Sequence, residues 1–355
     1  MNLFRRAPRL LRSLVLLVTF VLAGVALPTS AAGVLRVLSW PGYADADLVK
    51  VFEQRTGSTV QITFVDSDDT LWQKINQNNA QDFDVFAVNS AELQRYLPAG
   101  LVAPINTAAI PNIARQLPRF REVSAIAGLV QQGKVFSVPY TYSEMGLIYD
   151  RKQFQVPPNS IEALWDPRWR GKVLLYNGST HNFSLAAQSL GNTNPFRLDK
   201  AQWPAAVDRL IALRRNALGF YTQPDESVDM FRRRGAALMF ANYGSQQVQL
   251  LKAAGVDAGY VVPKEGALAW LDGWAITRNA TNAKLAHEWI NYLLEPAPGQ
   301  ALLTRQGLAN TTSESPMLRP DDRVIWLEPV EDVARRTRLW DRIFSGDRAS
   351  KVLSP

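Results

Sequence analysis

The sequence predicts an α/β protein built as two lobes, joined by at least two chain crossings, with a hinged cleft between them. Three observations carry this prediction. From residue 33 to 97, short β-branched runs alternate with helix-period segments, the grammar of a parallel sheet covered by helices. The same alternation restarts near residue 160 and continues to 262, after an irregular proline-bearing stretch at 103–121. With 355 residues, 47% of them hydrophobic, the chain is longer than one core of ordinary size, which favours two lobes.

Residues 33–40 (GVLRVLSW) read as a buried strand that ends in the turn Trp40-Pro41-Gly42-Tyr43. A helix follows over 44–55, where Leu48, Val51 and Phe52 keep helical spacing and Gly57 supplies the stop. Residues 59–65 are the second strand, and 68–78 a helix with Leu71, Trp72 and Ile75 on one face. The third strand, 84–88, ends at Asn89-Ser90, which can cap a helix over 91–97. Residues 134–139 and 146–149 are strands, and 140–144 between them reads as the first crossing. Ser160 caps a short helix to Trp165, 172–176 is a strand, and Asn177 to Asn182 lead into a helix reaching 190. Helices at 200–215, 227–234 and 246–254 alternate with strands at 236–241 and 259–262. The chain recrosses at Pro263-Lys264-Glu265-Gly266 into a strand at 268–277; amphipathic helices at 283–294 and 330–344 complete it, with His287 an ordinary helix residue. The division that follows is lobe 1 at 33–141 plus 268–316, and lobe 2 at 142–267 plus 317–355.

The formal charge of +7 overstates how basic the mature protein is. Arg5, Arg6, Arg9 and Arg12 precede an apolar run at 14–27 and the small residues Ser30-Ala31-Ala32-Gly33. That order describes an export leader, residues 1–32, cleaved near Ala32, and the run is short for a membrane span. Without those four Arg the balance of 39 basic and 32 acidic residues falls to about +3, which gives no case for nucleic acid. The chain has no Cys and only His181 and His287, so thiolate and His-rich metal sites are excluded and no cofactor is expected. The absence of a lipobox Cys points to a soluble, exported, periplasmic protein, expected to be a monomer.

The stretch 268–277 (LAWLDGWAIT) carries the strongest chemical signal. On a strand, alternation puts Trp270, Asp272 and Trp274 on one side. A carboxylate between indoles suits an organic cation, because an indole face adds roughly 0.5–2 kcal/mol to the charge pairing once water is excluded. Ligands of parallel sheets gather at the carboxyl ends of strands, where Trp40 with Tyr43 and Asn89 with Ser90 stand. Catalysis finds little support. His181 is the only plausible base for a Ser-His-Asp system, and the sequence holds no G-x-S-x-G, H-E-x-x-H, Walker A or G-x-G-x-x-G. No catalytic residue is assigned.

Taken in order, several motifs resemble a known family. They are Ser39-Trp40-Pro41-Gly42-Tyr43, Phe83-Asp84-Val85 running into Asn89-Ser90, Ser137-Val138-Pro139-Tyr140, the run from Leu164 to Val173, Pro263-Lys264-Glu265-Gly266, and Trp270-Leu271-Asp272. The chain resembles the polyamine-binding branch of the extracellular solute-binding proteins that feed ABC importers. The resemblance implies the two-lobed periplasmic-binding-protein type II fold, a small amine-bearing ligand and an inner-membrane ABC permease as partner. It also implies that Trp40, Tyr43 and Trp270 form an aromatic box and that Asp272 anchors an ammonium. Tyr243 stands close to an expected Trp, which appears as Ala241; other expected aromatics appear as Ala91 and Leu308.

Where the family carries further acids, this chain has Asn177-Gly178-Ser179-Thr180-His181-Asn182. Asn89, Ser90, Ser179, Thr180 and His181 are therefore expected as polar contacts from the two lobes. A helix N-terminus there favours an anion. An amine at Asp272 facing an anion describes a zwitterion: an ω-amino acid such as 4-aminobutyrate or 5-aminovalerate, or an aminophosphonate. Glu144 would instead supply the second acid that a putrescine- or spermidine-type ligand needs.

Overall fold

The computed structural model describes residues 33–319 and 321–354. The leader read at residues 1–32 lies outside the described residues. In chain order the strands are β1 (Val34–Ser39), β2 (Thr59–Phe64), β3 (Val85–Asn89), β4 (Val102–Ala103), β5 (Val130–Gln131), β6 (Lys134–Val135), β7 (Val138–Met145), β8 (Leu147–Asp150), β9 (Val173–Tyr176), β10 (Ala217–Tyr221), β11 (Leu238–Phe240), β12 (Ala258–Val261), β13 (Ala267–Thr277), β14 (Ala309–Asn310) and β15 (Val324–Trp326).

Two sheets dominate. The first has the order β14-β7-β13-β3-β1-β2, with β4 and β15 also paired to β13. Its β1, β2 and β3 are parallel, linked by the helices Ala46–Thr56 and Asp68–Asn76. The second has the order β10-β9-β11-β8-β12, parallel across β10, β9 and β11. Each sheet is buried on both faces, as parallel sheets require. In the first, Leu35, Val37, Trp274 and Trp289 fill one face and Leu38, Phe86 and Tyr96 the other. In the second, Leu147, Val173 and Leu175 pack on one side and Ile148, Leu174 and Met239 on the other. This is the two-lobed fold that the alternation of elements predicts.

The crossings differ from the sequence reading. Residues 140–144 are not a joint: β7 runs unbroken and wholly buried to Met145, bonded to β13 and β14. The chain passes between sheets at Gly146, because β8 already pairs with β11 and β12 of the second sheet. A Cβ on Gly146 would meet the Val261 carbonyl at 2.6 Å, so the close approach of the two crossing segments requires glycine. Residues 142–145 thus belong to the first sheet. So do Val324–Trp326, which pair with β13 although the sequence reading gave all of 317–355 to the second lobe. A third crossing follows, and the helix Val333–Phe344 then packs in the second lobe through Leu339, Trp340 and Ile343. β10 was not foreseen: its run ALGFY has a glycine at its centre and half-buried residues, a weak strand signal.

Candidate functional site

A cleft of about 420 Å³ opens between the two sheets. Its walls take Trp40 and Tyr43 from the turn after β1, Asp66 and Asp68 from the segment after β2, and Asn89 from the end of β3. β13 contributes Trp270 and Asp272, and the second lobe contributes Tyr176, His181, Asp225, Asn242 and Tyr243. Register explains the centre of the site: β13 runs antiparallel to β3 and sets Asp272 opposite Asn89. Trp270 packs against the cores of both lobes.

Asp272 is buried and accepts a hydrogen bond from the Tyr43 hydroxyl at 2.6 Å. Burial pushes its carboxyl up to about 7, and the Tyr43 bond holds it back in part. Asp68 opens the helix Asp68–Asn76, with Ser67 as N-cap accepting from the Thr70 amide. The Asn89 side chain donates to Asp68 at 3.2 Å, so one amide ties the helix start to the end of β3. Burial first, then Glu92 and Asp272, hold the Asp68 carboxyl well above the usual range. Asp66, Asp68, Asp225 and Asp272 all line the cleft, and among the described residues no Lys or Arg does.

Asp68, Asn89, His181 and Leu327 also border a neighbouring open pocket of about 190 Å³. Glu92, Arg95 and Glu328 are among its walls. Its single Arg is engaged, with Glu92 at 3.1 Å, Asp69 at 3.6 Å and its guanidinium 4.2 Å from the Trp72 ring centre.

Seven of the ten residues expected from the sequence meet at the cleft: Trp40, Tyr43, Asn89, His181, Tyr243, Trp270 and Asp272. Thr180 lines the neighbouring pocket instead. Ser90 and Ser179 do not line either space. The Ser90 amide continues the ladder by donating to the Leu271 carbonyl, and the Ser179 hydroxyl is shared with Thr337 at 3.1 Å. Trp274 is wholly buried between Tyr140 and Trp289, a packing residue. Glu144 is not a cleft acid. It pairs with Ala269 on β13, whereas Trp270 and Asp272 pair with Ser143 and Thr141, so the alternation sets Glu144 on the other face of the sheet.

Sequence reasoning passed over Asp68. A Ser-Asp-Asp run at a helix start is the ordinary pattern of a capped N-terminus with dipole-favouring acids. Only the arrival of Asn89 and Asp272 from distant strands makes it part of a site. Asn242, equally unforeseen, carries no local signal.

Two α/β lobes facing a polar, aromatic cleft form a site suited to enclosing a small solute. The chain belongs to the bacterial extracellular solute-binding protein family, whose model matches residues 47–322. It is 23% identical over 322 residues to spermidine/putrescine-binding periplasmic protein 1 of Haemophilus influenzae, covering 89% of this chain and 86% of that one. It is 27% identical to the putrescine-binding periplasmic protein PotF of Escherichia coli, covering 79% of each. Among solved structures, the fold matches the spermidine/putrescine transporter substrate-binding protein PotD of Streptococcus pneumoniae with a TM-score of 0.70, at 23% identity, over 90% of this chain and 99% of that one. It matches the Tp0655 lipoprotein of Treponema pallidum with a TM-score of 0.75, at 18% identity, over 88% and 98%. Among the described residues no helix is long and apolar enough to cross a membrane.

Proposed function

We propose that this chain is the substrate-binding component of an ABC importer and that its solute is a diamine or polyamine of the putrescine or spermidine type, delivered to an inner-membrane permease. One observation carries the reading: among the described residues the cleft is lined by four aspartates and by no Lys or Arg. A second ammonium would find Asp68 where Asp272 takes the first, and Trp40, Tyr43 and Trp270 would wall the methylene chain between them. The names of the relatives in Haemophilus influenzae and Escherichia coli support the same class of solute.

The ω-amino acid reading loses its footing at the anion end. The N-terminus of the helix Ser179–Ser189 has its first hydroxyl engaged by Thr337, and the nearby Arg336 is buried and spent on Glu331, Ser184 and the Thr180 carbonyl. An uncompensated carboxylate facing Asp68 in this cleft would cost several kcal/mol.

Calorimetric titration tests the proposal. Putrescine or spermidine is expected to bind with a Kd in the micromolar range or tighter, on the order of −8 kcal/mol. The ω-amino acids are expected to give no heat at the same concentrations. Binding of 4-aminobutyrate or 5-aminovalerate with none of the diamines reverses the assignment.

A further inference from the structure

Asn242 sits just past β11, buried, and makes three contacts that join parts of the cleft otherwise independent of one another. Its amide N–H donates to the Tyr221 hydroxyl at 2.9 Å, which in turn donates to the Phe240 carbonyl, so its backbone is fixed within the second lobe. Its carbonyl accepts from the Trp270 indole N–H at 3.1 Å, a bond that reaches across from β13 of the first lobe. Its side-chain oxygen stands 2.7 Å from Nδ1 of His181. With the Asn242 amide oxygen facing it, Nδ1 carries the proton, and a neutral ring then keeps its lone pair on Nε2.

No hydrogen bond to His181 Nε2 is formed within the described residues, although the residue borders both the cleft and the neighbouring pocket, as Asp68 and Asn89 do. Burial holds the imidazole neutral, pushed down to about 4, with the Arg336 guanidinium acting in the same direction and the Asn242 bond against it. The Tyr176 ring, 5.8 Å away, packs alongside it. A neutral imidazole that offers a lone pair to an acid-lined cavity is an acceptor for a charged N–H donor. The opposite tautomer would point N–H at the ligand's own N–H groups and would repel it.

Resting on the diamine reading above, we propose that Asn242 is a positioning residue. It holds His181 in the Nδ1–H form while latching Trp270 of the other lobe, so that His181 Nε2 accepts an N–H from a solute ammonium. Lobe closure, through the Asn242 backbone carbonyl, and ammonium recognition, through its side chain, thereby share one residue. A quaternary ammonium, with no N–H to give, gains nothing from this acceptor.

The test combines nitrogen NMR of the ¹⁵N-histidine-labelled chain with calorimetry at about pH 8, where His181 is neutral and the Asp272 carboxyl is above its midpoint. In the free protein the expected spectrum is that of the Nδ1–H tautomer. On adding putrescine, the Nε2 resonance is expected to move in the direction of an acceptor that gains a hydrogen bond. Asn242→Ala is expected to mix the tautomers and weaken putrescine binding by roughly tenfold. His181→Gln, which keeps an acceptor oxygen, is expected to bind more tightly than His181→Ala. An Nε2–H form in the free wild-type protein overturns the proposal. So does an Nε2 resonance that stays still while the wild-type protein binds putrescine, a result that leaves the diamine reading intact. Absence of wild-type binding to any diamine or polyamine overturns both. The wild-type spectrum decides even if a variant fails to fold.

Discussion

Asp272 lies under two opposed influences. Its burial favours the neutral acid, up to about 7, while the Tyr43 hydroxyl at 2.6 Å favours the carboxylate. An ammonium arriving beside it would settle the conflict in favour of the charged form. The sign follows: the free protein holds part of a proton at neutral pH, the complex holds none, and binding releases it. Affinity is therefore expected to be full above about 7 and to fall as pH drops below it, by at most about tenfold per pH unit for this group. Titration in buffers of different ionisation enthalpy reads the proton directly; a heat that does not depend on the buffer near neutral pH would contradict the assignment. Tyr43→Phe removes the stabilising bond and should move the midpoint upward. Asp272→Asn should cost roughly 2–5 kcal/mol in binding while leaving the free fold as stable or more so.

At the scale of elements, β13 organises the site because it pairs with β3 on one side and β7 on the other. Its pairing with β7 shifts between Asp272 and Gly273, an irregularity that ends the alternation read from the sequence. A Cβ on Gly273 would press on the Ser137 hydroxyl and lie 2.7 Å from the Val138 carbonyl, so the strands can approach here only without a side chain. Gly273→Ala is expected to lower stability by about 1–3 kcal/mol and to weaken amine binding with it, since the displaced strand carries Asp272. Thermal unfolding and calorimetry on the same variant check this; an unchanged Tm would show that β7 and β13 part at no cost. The alternation of β13, and with it the Trp270–Asp272 pair, was legible because period-two patterning is local. The extent of β7 was not. Thr141, Ser143 and Glu144 read as polar joint residues, yet all are buried, and pairing with β13 and β14 ties their backbone into the first sheet.

For the molecule as a whole, the two-lobed architecture was readable from the repeated strand and helix order. The place of the crossing was not, because Gly146 differs from other glycines only in what approaches it from Val261. That crossing holds a feature with consequences for global stability. Glu144 is fully buried two residues before Gly146, and neither carboxylate oxygen has a hydrogen-bond partner among the described residues. The Tyr260 hydroxyl donates to its backbone carbonyl at 2.9 Å rather than to its carboxyl. Burial pushes the acid up to about 7 from an ordinary 4.5, with Asp322 adding to it and the residue's own backbone N–H and the nearby Tyr260 hydroxyl holding it back in part. Because the folded value is the higher one, the favourable term is complete below about 4.5 and is lost as pH rises through about 7. The loss amounts to at most about 3 kcal/mol. Asp272 and Asp68 add slopes of the same sign from the cleft, but saturating putrescine should remove the cleft contribution by holding those acids charged. The slope that survives in the complex belongs to the crossing, so Glu144→Gln should flatten it and raise Tm most at alkaline pH. If Glu144→Gln leaves the pH dependence of the saturated protein unchanged, the buried acid at the crossing is already paired in solution and contributes nothing to it.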